Sequence, residues 1–229
     1  MGTLLASLIF LVYLMFAAVP AFAGAGAYRI DIPDAAATGM GGAFVGQADS
    51  PAAVYYNPAG MTQIKDKELS VGLTVVQPKI SAESAGTASD VKMKHNTFYI
   101  PDLFFVTRFG TDKIALGVGA TSSWGLGTEW PQDGFMRYSA TRTVLQSADY
   151  LLTGAYKVND QFSLAAGLIV DDSKVSMEYK YYGTTYNVKL TGADTALGYT
   201  LAGLYKVNDQ HQFGLSYRTA IQHKYKGKT

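Results

Sequence analysis

From residue 68 onward, apolar and polar side chains alternate along the chain. This period of two is typical of β-strands whose two faces meet different surroundings. In the first stretch, Leu69 and Val71 share one face, and Ser70 lies on the other. About seven such stretches follow one another; their first apolar residues are Leu69, Phe98, Ile114, Leu152, Phe162, Leu197 and Phe213. The pattern predicts an all-β chain.

The connections between these stretches alternate in length. Tight turns are predicted at residues 110–113, 159–161 and 208–210, and longer polar links at residues 81–94, 125–142 and 178–189. Short turns at one end and longer loops at the other are typical of antiparallel barrels in the outer membrane. A soluble sandwich or a lipocalin-like barrel is the alternative, although its strands are usually only about 5–6 residues long.

The hexapeptide YKVNDQ occurs twice, at residues 156–161 and 205–210. Asn and Asp favour turns because their side chains bond the nearby main chain and tolerate left-handed backbone. Each copy therefore predicts a strand end, a tight turn and the start of the next strand. In a barrel, Tyr156 and Tyr205 would lie in the aromatic belt, and Lys157 and Lys206 would reach the lipid headgroups.

The apolar face changes parity within the second stretch. Phe98 and Ile100 have even numbers, whereas Leu103 and Phe105 have odd numbers, and Pro101 lies between the two pairs. Proline inside a strand is found at edges and bulges because it cannot donate to the ladder. The pattern predicts a bulge or a kink at this position.

A second change of parity follows Val170. The next apolar positions begin at Val175, and Asp171 and Asp172 lie between them. A one-residue bulge at this point would turn Lys174 into the barrel lumen. The alternative is that the strand has left the membrane at this height, so that its parity carries no information about the lumen.

Residues 1–23 contain an apolar run from Leu4 to Ala18 and end in Ala21-Phe22-Ala23, a small-x-small cleavage pattern. We interpret them as a signal peptide, so that the mature chain begins near Gly24. A permanent membrane helix is the alternative, since the run is nearly long enough to span a bilayer. Residues 24–63 are rich in Gly and Ala without a regular period, and they are too apolar for a disordered tail. They should form a compact segment that another part of the protein covers.

The composition and the motifs contain little chemistry. The net charge is +1 without a basic stripe, so nucleic acid is not an expected partner. Cysteine is absent, and the three His residues have no metal-ligand spacing. No catalytic motif or cofactor motif is present, so we predict no enzyme, no metal and no cofactor.

Three segments resemble the FadL/TodX-type outer-membrane transporters of long-chain fatty acids and aromatic hydrocarbons. They are GMGGAFVGQADSPAAVYYNPAGM in the Gly/Ala-rich segment, GVGATSSWGLGTEW at residues 117–130 and GLSYRTAIQHKYKG at residues 214–227. The resemblance covers the mature chain and is most specific at Asn57-Pro58-Ala59.

The resemblance implies a transmembrane antiparallel barrel of 14 strands with an N-terminal hatch inside it. Residues 24–63 correspond to the hatch, and residues 64–229 to the first half of the barrel, with about seven strands. It also implies that a kink in the third strand opens the wall sideways. The residues that match family positions are Tyr28 and Lys174 for ligand binding, Asn57, Pro58 and Ala59 in the hatch, and Gly117, Gly119 and Ser122 at the kink.

Two departures from the family pattern matter. About seven strands are half of the family's number, so we expect the sequence to be part of a longer chain that aggregates or is degraded when it is expressed alone. The link at residues 178–189 is short where better-known members have a long helical loop. This puts the family's external low-affinity groove in doubt.

The resemblance implies passive uptake of hydrophobic molecules across the bacterial outer membrane, with lateral release through the wall. Long-chain fatty acids are the expected substrates; aromatic hydrocarbons or alkanes are the alternative. A structural barrel, an adhesin and an open porin are the other hypotheses. The expected partners are the hydrophobic ligand, outer-membrane lipids and lipopolysaccharide, and the full-length protein should be a monomer.

Overall fold

The computed structural model describes residues 28–30, 33–84, 90–108 and 110–228. The predicted signal peptide and the first residues of the mature chain lie outside these ranges, so the cleavage site stays a prediction. Within the described ranges, no helix is long and apolar enough to cross a membrane.

One antiparallel sheet of nine strands dominates the described part of the chain, in the order β1-β4-β5-β7-β8-β9-β10. Two further strands form a separate hairpin in the first long link. The strands are β1 Lys67–Val76, β2 Ser81–Glu83, β3 Asp90–Lys92, β4 Phe98–Arg108, β5 Ile114–Thr121, β6 Gly125–Glu129, β7 Arg142–Lys157, β8 Phe162–Lys180, β9 Asn187–Lys206, β10 Gln212–Arg218 and β11 Lys226–Lys228.

The nine strands of the sheet correspond to seven strands of a barrel wall, because two of the wall strands are each interrupted once. Both β5 and β6 pair with β7, and both β10 and β11 pair with β9. Each of these pairs is one strand of the wall with an interruption. The number agrees with the prediction of about seven strands.

The alternation in the sequence is the alternation between the two faces of this sheet. On β1, Leu69, Val71 and Leu73 are 61%, 70% and 61% exposed, whereas Ser70 and Gly72 are half-buried on the other face. The same exposed apolar face continues through Leu116, Leu152, Leu168, Leu201 and Leu215. We call it the outer face, because apolar side chains in this arrangement meet lipid.

The N-terminal segment covers the inner face. It contains α1 (Ala35–Gly39), α2 (Ala53–Tyr56) and a 3-10 helix (Pro58–Gln63). Residues of α2 and the 3-10 helix form one apolar core with inward side chains of the strands, among them Phe104, Val106 and Ile169. Small side chains such as Ala53 and Ala59 are fully buried, so the helices lie close against the wall.

Two side chains attach the N-terminal segment to the wall, at the end of the sheet that carries the tight turns. Arg108 donates from Nε to the Ile64 carbonyl and from Nη2 to the Thr62 carbonyl, both at 2.5 Å. The Nδ2 of the fully buried Asn57 donates to the carbonyls of Val45 and Gly203, at 2.8 and 3.1 Å. These bonds satisfy main-chain carbonyls that burial has removed from water.

The two YKVNDQ copies are equivalent hairpin turns, as predicted. In the first, the Asn159 Oδ1 accepts hydrogen bonds from the amides of Gln161 and Phe162. In the second, Asn208 accepts in the same way from Gln210 and His211. The Lys157–Asp160 and Lys206–Asp209 ion pairs also match, at 2.7 and 2.8 Å. Each lysine lowers the pKa of its aspartate by a hydrogen bond and by its charge.

The predicted bulges in the second and fifth strands are wrong. The pairing of β1 with β4 continues in one register from Lys67↔Thr107 to Val76↔Phe98, so Pro101 causes no bulge. Proline has no main-chain N–H to donate, but the strand pairing continues past it without a change of register. β8 also pairs in one register with β7 and with β9 along its whole length.

Lys174 therefore lies on the outer face and not in the lumen. It shares this face with Leu164 and Leu168, its side chain is 67% exposed, and its Nζ lies 3.6 Å from the Asp172 carboxylate. Without an extra residue at Asp171-Asp172, nothing turns the strand around. The alternative, that the strand has left the membrane at this height, stays a prediction, because the pairing fixes the register of the strand and not the position of the lipid.

The third long link is shorter than predicted. β8 continues to Lys180 and β9 begins at Asn187, so only residues 181–186 connect them. The other residues of the predicted link form the paired ends of β8 and β9. Many of their side chains are polar, since strands that extend beyond the membrane do not need an apolar face.

Candidate functional site

The third wall strand is interrupted between β5 and β6. The ladder with β7 runs from Ile114↔Tyr156 to Thr121↔Asp149 and resumes at Gly125↔Gln146. Three residues, Ser122, Ser123 and Trp124, therefore lie opposite two residues of β7. This is a one-residue bulge, which bends the strand and interrupts the pairing. The residues from Ser122 to Trp124 are called the strand-three break below.

The break leaves part of the neighbouring strand without a partner on this side. β4 pairs with β5 only from Leu103↔Ala120 downward, whereas β1 accompanies β4 up to Phe98. A gap therefore lies between upper β4 and β6, with a cavity of about 190 Å³. The ring of Phe98 fills part of the gap, since a Cβ on Gly127 would overlap it. An ion pair between Lys94 and Glu129, at 2.6 Å, lies above it.

The beginning of the described chain lies against the break. Arg29 forms an antiparallel bridge with Trp124, and the Ile30 amide donates to the Ser123 carbonyl at 2.8 Å. The neighbouring Tyr28 is 45% exposed. The aromatic residue that the resemblance assigns to ligand binding thus lies next to the interrupted strand.

Of the three residues expected to bend the strand, only Ser122 lies in the break. Gly117 and Gly119 lie within the unbroken ladder between β4 and β7, so the expectation that they form the kink is wrong. Their inner side is in contact with the N-terminal segment: a Cβ on Gly117 would overlap Met61 and Val54, and one on Gly119 would lie 3.2 Å from Val54 and overlap Phe104 of β4. These glycines provide space for the helices.

One arginine connects the N-terminal segment, the break and two strands. Arg218 donates to the Tyr55 carbonyl at 3.1 Å, and its guanidinium lies 4.3 Å from the Tyr55 ring centroid. Its Nη1 lies 3.6 Å from the Asp149 carboxylate, and the Ser123 hydroxyl donates to the same carboxylate. We call these four residues the polar bridge. A movement at Tyr55 would disturb the break through these contacts.

The inner wall near the polar bridge is acidic. Asp102, Asp149 and Asp171 are 6%, 2% and 1% exposed. His223 lies 3.6 Å from the Asp171 carboxylate and 3.3 Å from Asp194. One carboxylate oxygen of Asp149 and one of Asp171 have no hydrogen-bond partner among the described residues. This surface is unfavourable for an anionic ligand.

The inner face becomes apolar towards the loop end. Inward side chains of β7, β8 and β9 lie on adjacent rungs: Leu145 is paired with Val175, and Met177 with Leu190. Tyr179 and Val188 form the next rung, and all six side chains are half-buried. We call these six residues the inner apolar patch.

Sequence reasoning missed the polar bridge and the role of Arg108. Asp149 had one usable signal, because it is a charged residue within an apolar strand, at a position that faces inward. Arg108 and Arg218 had none for these roles, since the carbonyls of the N-terminal segment that they bind are more than 40 residues away along the chain.

No cluster among the described residues could hold a metal ion. The motif Asn57-Pro58-Ala59 is completely buried and connects the N-terminal segment to the wall. The structure thus places Tyr28 beside the break and Asn57-Pro58-Ala59 against the wall, and Lys174 lies on the opposite face from both.

Comparisons with known proteins agree with this arrangement. The family model of the outer membrane protein transport protein (OMPP1/FadL/TodX) matches residues 15–229. The long-chain fatty acid transport protein of Escherichia coli O6:H1 is 28% identical over 154 residues, which are 64% of this chain and 34% of that protein. Outer membrane protein P1 of Haemophilus influenzae is 28% identical over 196 residues, 76% of this chain and 42% of that protein.

Solved structures show the same fold. A FadL homologue of Pseudomonas aeruginosa matches with a TM-score of 0.68 and 18% identity, over 86% of this chain and 54% of that one. The toluene transporter TodX of P. putida matches with a TM-score of 0.62 and 18% identity, over 74% and 51%. The chain thus spans between a third and about half of these proteins. It belongs to the OMPP1/FadL/TodX family of outer-membrane transport proteins, whose members are β-barrel channels and not enzymes.

Proposed function

We propose that this chain is the hatch-bearing half of a wall through which hydrophobic molecules cross the outer membrane passively and leave sideways into the lipid. The strand-three break is the observation that carries the proposal. A closed ladder has no lateral exit, whereas the gap between upper β4 and β6 opens this wall beside Tyr28.

The proposed path begins at the loop end. A hydrophobic molecule partitions onto the inner apolar patch, because burial of apolar surface is favourable by about 25 cal/mol per Å². It then reaches the surface beside Tyr28 and displaces residues 28–30 from the break. Movement of the Phe98 ring opens the gap to the lipid.

The lower part of the hatch is not the moving part in this proposal. Asn57 and Arg108 hold it to the wall through main-chain carbonyls, and its small side chains are packed in the core. Residues 28–30 lie against the break through the Arg29–Trp124 bridge, to which the main-chain bond from Ile30 to Ser123 belongs. They are the part that the proposed path displaces, because they lie at the break itself. The packed core also argues against an open, water-filled porin in this half of the wall.

The chemistry of the inner wall favours uncharged hydrophobic molecules over fatty-acid anions. Lys174, the expected partner of a carboxylate, lies on the outer face. The inward Arg218 already pairs with Asp149, and His223 lies beside Asp171 and Asp194. Long-chain fatty acids remain the alternative substrates, because the similar E. coli protein is described as a long-chain fatty acid transport protein.

A reversible covalent bond tests the path. Residues 1–229 contain no cysteine, so the double variant R29C/W124C has only the introduced pair in this part of the protein, at positions whose backbones are bridged. Oxidation should attach the N-terminal residues to the break and reduce uptake of both toluene and oleate at least tenfold. Reduction should restore it. The matched control T62C/S163C joins the hatch base to β8, where the two hydroxyls are 2.8 Å apart, and should leave uptake within about twofold in both states.

Equal uptake by oxidised and reduced R29C/W124C, with the bond verified by mass spectrometry, would contradict lateral release at the break. A loss in the oxidised control as well would show that the hatch base moves. Uptake of toluene but not of oleate supports the uncharged substrate class, and the reverse supports fatty acids. If the full-length wild-type protein takes up neither toluene nor oleate in cells that lack other transporters, the result favours the structural-barrel and adhesin hypotheses.

A further inference from the structure

The outer face changes its chemistry towards the loop end of the wall. Up to the rung that joins Tyr150, Val170 and Leu197, the outward side chains are mainly apolar. Beyond this rung they are mainly polar, and several of them are basic. We call the five that line one depression the outer basic cluster: Arg142, Lys174, Lys189, Lys226 and Lys228.

The cluster surrounds a shallow depression of about 600 Å³. Gly192 and Ala193 form part of its floor, and the longer basic side chains rise around it. The depression extends over β7, β8, β9 and β11, which are neighbours in the sheet. The ladder thus brings together cations that are far apart in the sequence.

The depression keeps an excess of positive charge. Glu178 lies 3.7 Å from Arg142 and 3.2 Å from Lys189, and Asp172 lies 3.6 Å from Lys174. No ion pair is formed by Lys226 or Lys228 within the described residues. Glu178 and Asp172 therefore pair with three of the five cations. The charge of Lys226 acts on Asp194 without a direct ion pair, so the ammonium groups of both β11 lysines can bind an external anion.

The height of the cluster is that of lipid headgroups. Lys174 is four residues beyond Val170, a distance of about 13 Å along a strand or about 10 Å along the membrane normal at the usual tilt. Tyr150, which is 54% exposed, marks the aromatic girdle at the edge of the hydrocarbon. The cations thus lie just above the apolar band.

We propose that the outer basic cluster binds the phosphate groups of lipopolysaccharide in the outer leaflet. Phosphates are the anions that arginine and lysine recognise by charge-assisted hydrogen bonds. A diphosphorylated saccharide headgroup fits a basic depression with a floor of small residues better than a single small anion does. The assignment rests on the loop end facing the outside, as in barrels of this class, and not on the transported substrate.

The test is the amount of lipopolysaccharide that the full-length protein retains when it is extracted from its outer membrane in mild detergent. The double variant K226Q/K228Q removes two cations without altering the inner face. Its affinity should be roughly 10- to 30-fold weaker, which native mass spectrometry and phosphate analysis of bound lipid A would show. The matched control K157Q/K206Q removes two lysines at the opposite end of the wall and should retain the wild-type amount.

Vesicle competition identifies the anion. Lipopolysaccharide in phosphatidylcholine vesicles should displace a labelled lipopolysaccharide from the wild-type protein, and phosphatidylglycerol or millimolar inorganic phosphate should not. Equal retention by both double variants would overturn the proposal. Displacement by phosphatidylglycerol or by inorganic phosphate would also overturn it, because the site would then be a general anion site.

Discussion

The lower and the upper half of β8 have opposite apolar faces. In the lower half, Leu164 and Leu168 point outward and are 46% and 61% exposed. In the upper half, Val175 and Met177 point inward, and Lys174 points outward. The ladder between the two halves has no bulge. The strand keeps its geometry while the apolar side changes.

The difference teaches that the surroundings of each face select the side chains, and not the reverse. Lipid surrounds the outer face of the lower half, so apolar residues are required there. Above the girdle, the proposal places the outer face against headgroups and water. The inner apolar patch lies on the opposite face and does not contact lipid. A parity change in a membrane strand therefore marks either a bulge or a change of solvent, and the pairing register distinguishes them.

The largest expected effect comes from placing a charge on each half of the outer face. Leu168→Lys puts an ammonium into the hydrocarbon and should lower the free energy of unfolding by about 2–4 kcal/mol. Ser176→Lys, on the same face of the upper half, should cost about 0–1 kcal/mol. Urea titration of the full-length protein in lipid vesicles measures both. Equal losses would show that both halves meet the same surroundings.

A second pair of variants compares the two faces of the lower wall. Gly117→Ala would push a methyl group into Met61 and Val54, and overpacking of this kind costs about 1–3 kcal/mol. For comparison, Gly154 lies on the outer face and is paired with Leu116. The Cβ of Gly154→Ala would lie 3.6 Å from the Leu116 side chain, an ordinary contact distance. It should change the stability by less than about 0.5 kcal/mol. If Gly117→Ala reduced uptake without loss of stability, Gly117 would be a hinge after all.

The inner apolar patch predicts a smaller effect on uptake. Met177→Ser removes apolar surface from the patch, and partial burial of one such side chain is worth about 1 kcal/mol, or roughly fivefold in uptake at low substrate concentration. The neighbouring Ser176→Ala points outward and should leave uptake unchanged. Initial rates with toluene in whole cells provide the measurement. No loss in Met177→Ser would remove the patch from the proposed path.

The smallest effects are expected at the two equivalent turns. Asn159→Ala and Asn208→Ala should each cost about 1 kcal/mol or less, and by similar amounts, since each Asn accepts the same two main-chain bonds. The pKa values of Asp160 and Asp209 are lowered, so their ion pairs persist above the ordinary carboxyl pKa and are lost only as the pH falls through the lowered value. Acid titration followed by NMR would show two superimposable transitions. Different transitions would mean that the turns have unlike surroundings.

Local patterns in the sequence determined much of this protein. Alternation predicted the strands, because one face of each lower strand meets lipid and the other does not. Asn-Asp pairs predicted the tight turns, since their side chains bond the adjacent main chain. The Gly- and Ala-rich composition of residues 24–63 predicted a compact covered segment. Each of these signals acts between residues that are close in the chain.

Only the tertiary structure decided the register and the direction of particular side chains. Lys174 would face the lumen only if the ladder contained one extra residue before it. The sequence at Asp171-Asp172 does not show whether such a residue is present. The position of the break at Ser122–Trp124, instead of at Gly117 or Gly119, depends on how β7 pairs on both sides of it. Arg108 and Arg218 obtain their roles from partners that the fold brings near them. Such contacts have no local signature, because pairing energy is gained along a whole ladder and packing energy between distant segments.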